Sequence, residues 1–182
     1  GGNQTLRFLG EDPAAVPGAV AAAVCVSVPC DLTTTERALA RPGNRIYLNN
    51  FLKTLRDKVR RKTRTFPGLV NLDRLARVRD FQDFDDLFTA PRHGFRDAAQ
   101  YYAEASSLPV LEAVRVPTLI LNAKNDPFLT PECFPEAQAR ANPALFLETP
   151  ATGGHVGFVP PWPGPYRSEL RAVEFLGRVL AS

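Results

Sequence analysis

AVAAAVCVSVP, residues 19–29, carries no charge over eleven positions. It is too short to cross a membrane. Its valine content and length read as a strand buried on both faces, as strands of parallel sheets are. EDPAAVPG (11–18) precedes it as a turn region. Two further short apolar runs share one form. PTLILNAKND (117–126) and ALFLETPATGGH (144–155) each end in polar residues, the second in a glycine-containing loop. Helical patterns separate the runs. Residues 3–10 space Leu6 and Leu9 three apart, and a helix is expected near 131–141. RSELRAVEFLGRVLAS (167–182) reads as an amphipathic helix with Leu170, Val173, Phe175, Leu176 and Leu180 as apolar positions. Strands alternating with helices predict an α/β domain: three parallel strands with flanking helices.

Between the first and second strands, residues 31–108 change character. They are helical, with breaks at RPGN (41–44), FPG (66–68) and PRHG (91–94). IYLNNFLKTLRDKVRRKTR puts Leu48, Phe51, Leu52, Leu55 and Val59 on one face. Residues 53–64 hold seven Lys/Arg and one Asp. The acidic stretch FQDFDDLFTAP (81–91) follows. FRDAAQYYAEAS (95–106) then places Phe95, Ala98, Ala99 and Tyr102 at helical spacing. The expected organisation is a core of residues 1–30 and 109–182 with a helical insertion at 31–108. No internal repeat is visible.

The 182 residues suffice for one domain with a real core, and 45% hydrophobic with 23% charged residues is ordinary for a soluble globular chain. The net charge of +3 does not point to nucleic acid. Cys25, Cys30 and Cys133 form no CxxC pair and read as free thiols in a reducing compartment, so a cytoplasmic location is expected. Two histidines without clustered carboxylates predict no metal site, and no cofactor is expected. The 17 prolines fall at element ends and punctuate a fold.

In parallel α/β sheets, ligands bind beyond the carboxyl ends of the strands. Asp126 leaves the second strand and His155 leaves the third, in GGHVGF (153–158). An acid that orients an imidazole, and an imidazole that takes a proton, form the base half of a catalytic triad. The glycines let the histidine loop bend. Phe128 and Phe158, beside acid and base, are candidates to line a substrate pocket, with core packing as the other reading. His93, in PRHGFRD, reads as a helix-entry turn residue. The nucleophile is missing: Ser27, Ser106, Ser107 and Ser168 lack a G-x-S-x-G setting. Gly1-Gly2-Asn3, followed at once by a helix, looks like the tail of such a nucleophile elbow. Its serine would lie two residues before Gly1, leaving Gly1 and Gly2 as the elbow remnant.

Together GGN, SVPCDL, FDDLFTAPRHGFRDAAQYY, LNAKNDPF and GGHVGF resemble the YheT-like, or embryogenesis-associated-like, branch of the α/β hydrolases. The resemblance spans essentially the whole chain. It implies the C-terminal portion of an α/β-hydrolase fold with an inserted helical cap. It also implies hydrolysis of carboxylic, acyl or lipid, esters. Asp126 matches the family's acid and His155 its general base, while the nucleophilic serine matches no residue here. The 182 residues alone are therefore expected to be inactive. The edge of the 19–29 strand is expected to be covered by a missing N-terminal segment or by self-association. A catalytically inactive binding or scaffold module is the alternative. The basic segment 53–64 reads as a solvated helix face, ahead of contact with a membrane surface or nucleic acid.

Overall fold

The computed structural model describes residues 1–159 and 163–181. Two compact units make up the chain: residues 1–35 with 105–182, and residues 36–104. In the first unit β1 (Ala23–Val26), β2 (Thr118–Leu121) and β3 (Leu145–Glu148) form one parallel sheet in that order. The register is flush: Cys25 pairs with Ile120 and Ile120 with Leu147, then Val26 with Leu121 and Leu121 with Glu148. Central β2 is buried at all four positions.

The apolar run at 19–29 pairs over four residues only, and β1 is mostly half-buried rather than buried on both faces. Pairing begins where Ala23 donates its N–H to the Pro117 carbonyl. β2 starts just past that proline, which has no N–H for the ladder. Pairing stops at Ser27, whose φ of 52° lies outside the strand region. β1 is also an edge of the sheet.

Side chains alternate across the sheet. On one face Cys25, Ile120 and Leu145 pack with Leu6 and Leu9 of α1 (Gly2–Glu11) and with Leu111 and Val114. Helix α1 approaches very closely: a Cβ at Gly2 would lie 2.6 Å from Val28 Cγ2, and one at Gly10 2.3 Å from the Val110 carbonyl oxygen. Only glycine allows either approach. On the other face lies α9 (Arg167–Leu180), whose Phe175 ring meets Phe146 edge-on at 5.1 Å. Arg171 pairs with Glu148 and holds its carboxyl below the usual range, mainly by hydrogen bonding. Of the apolar positions expected on this helix, Phe175 is buried, but Leu170, Val173 and Leu180 are exposed. Ser182, the last residue of the expected span, lies outside the described residues. The helix expected near 131–141 is split into a 3₁₀ turn (Pro131–Cys133) and α8 (Glu136–Ala141), with Pro135 at its N-cap.

Three asparagine side chains staple distant backbone in this unit. Asn3 donates to the Ala105 carbonyl and accepts from the Ser107 N–H. Asn142 donates to the carbonyls of Leu111 and Val114 and accepts from the Ala144 N–H. Asn122, fully buried, accepts from the Val28 N–H at 2.7 Å and donates to the carbonyls of Val28 and Cys133.

The chain passes into the second unit within α2 (Leu32–Leu39) and returns within α7 (Ala98–Ala105). Between them lie α3 (Arg45–Thr65), α4 (Leu72–Arg77), α5 (Phe81–Phe84), a π-helical stretch (Asp85–Thr89) and α6 (Ala90–Arg92). Leu48, Leu52 and Val59 of α3 pack on Leu75, Val78 and Phe84. Phe51, expected on that face, is 41% exposed and leans on the Phe81 ring. Phe95 precedes α7 rather than opening it, because Gly94 turns the chain at φ +80° and Asp86 accepts the Ala98 N–H. His93 is a helix-exit residue, not an entry one: its N–H bonds the Ala90 carbonyl at the end of α6. Asp85 is buried and accepts the Tyr102 hydroxyl at 2.6 Å. Burial pushes its carboxyl up, against the lowering effect of bonds from Thr89 and Tyr102. Among the described residues no helix is long and apolar enough to cross a membrane.

Asn122→Leu orphans one N–H and two carbonyls, so it should destabilise the protein by about 3 kcal/mol in urea unfolding. Asp85→Asn keeps an acceptor for Tyr102 and removes the buried charge. Because the folded carboxyl is raised above its unfolded value, its contribution is present at low pH and lost as pH rises through the folded pKa. The variant should therefore be more stable than the parent at neutral pH, with the gain shrinking on acidification.

Candidate acid–base site

The flush register sends three segments out of the sheet at one level. After β1, Ser27 donates its N–H to the Leu121 carbonyl; after β2, Asn122 donates to Glu148 and Lys124 to Pro150. The chain beyond β2 then turns, with the Asp126 N–H on the Ala123 carbonyl. That turn brings Asp126 back beneath the loop that follows β3.

Asp126 Oδ2 lies 2.9 Å from His155 Nδ1. The Asp126 side chain is 0% exposed and the His155 side chain 33% exposed. The other carboxylate oxygen, Oδ1, accepts the Phe128 N–H at 2.9 Å. The acid is thus dry and bonded at both oxygens, while the imidazole reaches the surface. A carboxylate acceptor requires the proton on Nδ1, so Nε2 is the nitrogen free to take a proton. The Phe128 ring packs 4.6 Å from the imidazole. Phe158 is buried against Leu121 and Ala123. Gly153 has no room for a side chain, since a Cβ there would lie 2.5 Å from Phe158 Cε1 and 2.8 Å from Ala123 Cβ.

The start of α1 reaches the same sheet edge. Gly2 rests on Val28, and Ser27, next to it, accepts the Val156 N–H beside His155. The amides of the first turn of a helix have no intrahelical acceptor and carry positive potential. In α1 the first intrahelical bond runs from the Thr5 N–H to the Gly1 carbonyl.

From the sequence Ser27 is weighed only as a nucleophile and set aside, and Asn125 is given no role. Ser27 adopts φ 52°, and Val156 and Phe158 are left-handed at 54° and 44°. Asn125 accepts the N–H groups of Gly153 and Gly154. Only the position of Asn125 directly before Asp126 was visible in the sequence. A hollow of about 470 Å³ borders this loop, lined by Asn125, Thr152, Gly154, Phe158, Val159 and Arg167 among others. A larger hollow, about 680 Å³, lies among Leu108, Thr130, Phe134 and Arg140. Neither hollow is lined by Asp126 or His155, but the smaller one is lined by their chain neighbours Asn125 and Gly154. Burial pushes the Cys25 thiol up to about 11 and the Cys30 thiol up to about 12. Such thiols are poor nucleophiles. Among the described residues no three His, Cys, Asp or Glu side chains are placed to hold a metal.

No family model and no solved structure matches the chain. Curated proteins do. The chain is 36% identical over 161 residues to YheT of Escherichia coli (strain K12), described as an esterase, which covers 87% of the chain and 46% of that protein. It is 33% identical to the phospholipase ABHD3 of Mus musculus, over 87% of the chain and 38% of that protein. It is 27% identical to the embryogenesis-associated protein EMB8 of Picea glauca, over 95% of the chain and 40% of that protein. The chain spans less than half the length of these relatives.

Gly153→Ala should force the Phe158 ring and the histidine loop apart. We expect a loss of about 2 kcal/mol in thermal or urea unfolding, the usual size of an overpacking defect.

Proposed function

We propose that this chain, which belongs to the YheT-like α/β hydrolases, supplies the acid and the general base of a serine esterase acting on acyl or lipid esters. The observation that carries the reading is the buried Asp126 carboxylate bonded to the partly exposed His155 at a strand-end edge. The esterase and phospholipase descriptions of two relatives support the reaction class.

In this reading the nucleophilic serine lies two residues before Gly1, on the turn that α1 completes. His155 Nε2 takes the serine proton as Oγ attacks the ester carbonyl carbon. The resulting imidazolium is stabilised by Asp126, which stays ionised. The proton then passes to the departing alcohol oxygen, leaving an acyl-enzyme that water hydrolyses by the same steps. The amides at the start of α1, around Gly1 and Gly2, face the developing oxyanion. Phe128, and Phe158 on the adjoining hollow, form the apolar side of the acyl site. Residues 31–108 are the helical insertion that the family's cap corresponds to. The edge of β1 is covered either by sequence preceding Gly1 or by a second copy of the chain.

The test uses the protein extended with the residues before Gly1. A fluorophosphonate should label a serine upstream of Gly1, located by mass spectrometry, and p-nitrophenyl esters should be hydrolysed. His155→Ala should lower kcat at least ~10³-fold and Asp126→Asn about 10⁴-fold. Labelling within the 182 residues, or undiminished hydrolysis by His155→Ala, would overturn the assignment. Absence of both labelling and hydrolysis would favour the inactive binding module.

A further inference from the structure

We propose that Ser27 and Asn125 are positioning residues that clamp the His155 loop from two sides and so hold the imidazole on Asp126. The inference rests on reading Asp126 and His155 as acid and base.

The loop from Gly153 to Phe158 has little reason to keep one shape. It holds three glycines, and its ends are joined by the Phe158 N–H on the Gly153 carbonyl at 2.7 Å. It nevertheless adopts a left-handed backbone at Gly154 (φ 61°), Val156 (φ 54°) and Phe158 (φ 44°). For a glycine this is free. For β-branched Val156, which is also exposed, it is strained and gains nothing by burial. Such a conformation persists only where the surroundings impose it.

Two side chains impose it. The Val156 N–H donates to Ser27 Oγ at 2.9 Å. Ser27 is buried and is itself left-handed, so both ends of this bond are strained residues. On the other side Asn125 Oδ1 accepts the Gly153 N–H at 2.9 Å and the Gly154 N–H at 2.8 Å. Two N–H donors on one atom require the oxygen of the amide there. Both neighbours of His155 are thereby pinned through their backbone. Asn125 precedes Asp126 directly, so the clamp and the acid share one turn and move together. Ser27 sits at the end of β1, so the second anchor is the sheet itself. A displacement of about 1 Å in a catalytic group can cost ~10²-fold in rate.

The experiment compares Asn125→Ala, Asn125→Asp and Ser27→Ala in the protein that includes the residues before Gly1. Two readouts are taken: steady-state kinetics on a p-nitrophenyl ester, and the downfield NMR resonance of the His155 Nδ1 proton shared with Asp126. Asn125 is exposed, so its removal leaves amides that water can reach, and the variant should fold. Asn125→Ala should lower kcat about 10- to 100-fold with KM and unfolding midpoint unchanged, and should erase or broaden the downfield signal. Asn125→Asp retains an acceptor oxygen and should restore the signal. Ser27→Ala should act in the same direction; if it does not fold, the Asn125 pair decides alone. Parental kcat and signal in Asn125→Ala would overturn the clamp, as would a lost kcat with the signal intact. A lost signal with parental hydrolysis would leave the clamp standing and remove the catalytic reading of the pair.

Discussion

The flush register of three short parallel strands is the constraint on which the first unit depends. Each strand pairs over only four residues, so the strands end together and their following segments emerge side by side. A slip of one residue would exchange the two faces of a strand. It would take Ile120 away from α1 and set Glu148 against the wrong helix. Asn122 guards the register at its most sensitive point. It binds Val28 through both its donor and its acceptor, so the chain leaving β1 is tied to the chain leaving β2 inside the core. A buried amide satisfied on every side costs little, whereas a partly satisfied one would be a defect.

Among the described residues two carboxylates are buried, Asp85 and Asp126, and their surroundings differ. Asp126 is bonded at one oxygen by a backbone N–H and at the other by a titratable ring. Its bonds point it at a group that can exchange a proton at the surface. Asp85, in the second unit, meets a phenol hydroxyl and lies beside Asp86, whose charge adds to the effect of burial. Desolvation prevails, and its carboxyl is pushed up. It sits in a π-helical stretch, an irregularity often retained for a local purpose. One carboxylate is bonded to a partly exposed imidazole and the other to a phenol in the interior of its unit, although the residue type is the same.

Much of the fold could be read directly. The three apolar runs, the helical block between the first two, the glycine breaks at 66–68 and 91–94, and the start of α1 all follow from local pattern. Where the reading missed, the cause was tertiary. The first run is longer than its strand because Pro117 and Ser27 limit what β2 can pair with. Leu170, Val173 and Leu180 have helical spacing, yet periodicity cannot say how much sheet is present to cover them. Phe51 lies on the right face of α3 but at its margin. The asparagine staples were illegible, because nothing in the spacing of Asn3, Asn122 or Asn142 names the distant backbone they hold.

Local pattern alone places an aspartate and a histidine, each at the end of an apolar run, and a glycine pair opening a helix. Those are properties of residue type and order, which local physics reads without a partner. Folding is what makes Asp126 and His155 touch, leaves the carboxylate dry and the imidazole partly exposed, and lets α1 rest on Val28 at Gly2. It also decided that Ser27 and Asn125 grip the histidine loop. Distance, burial and hydrogen-bond direction belong to pairs of residues far apart in the chain. No single segment can encode them, and they exist only once the strands have settled in register.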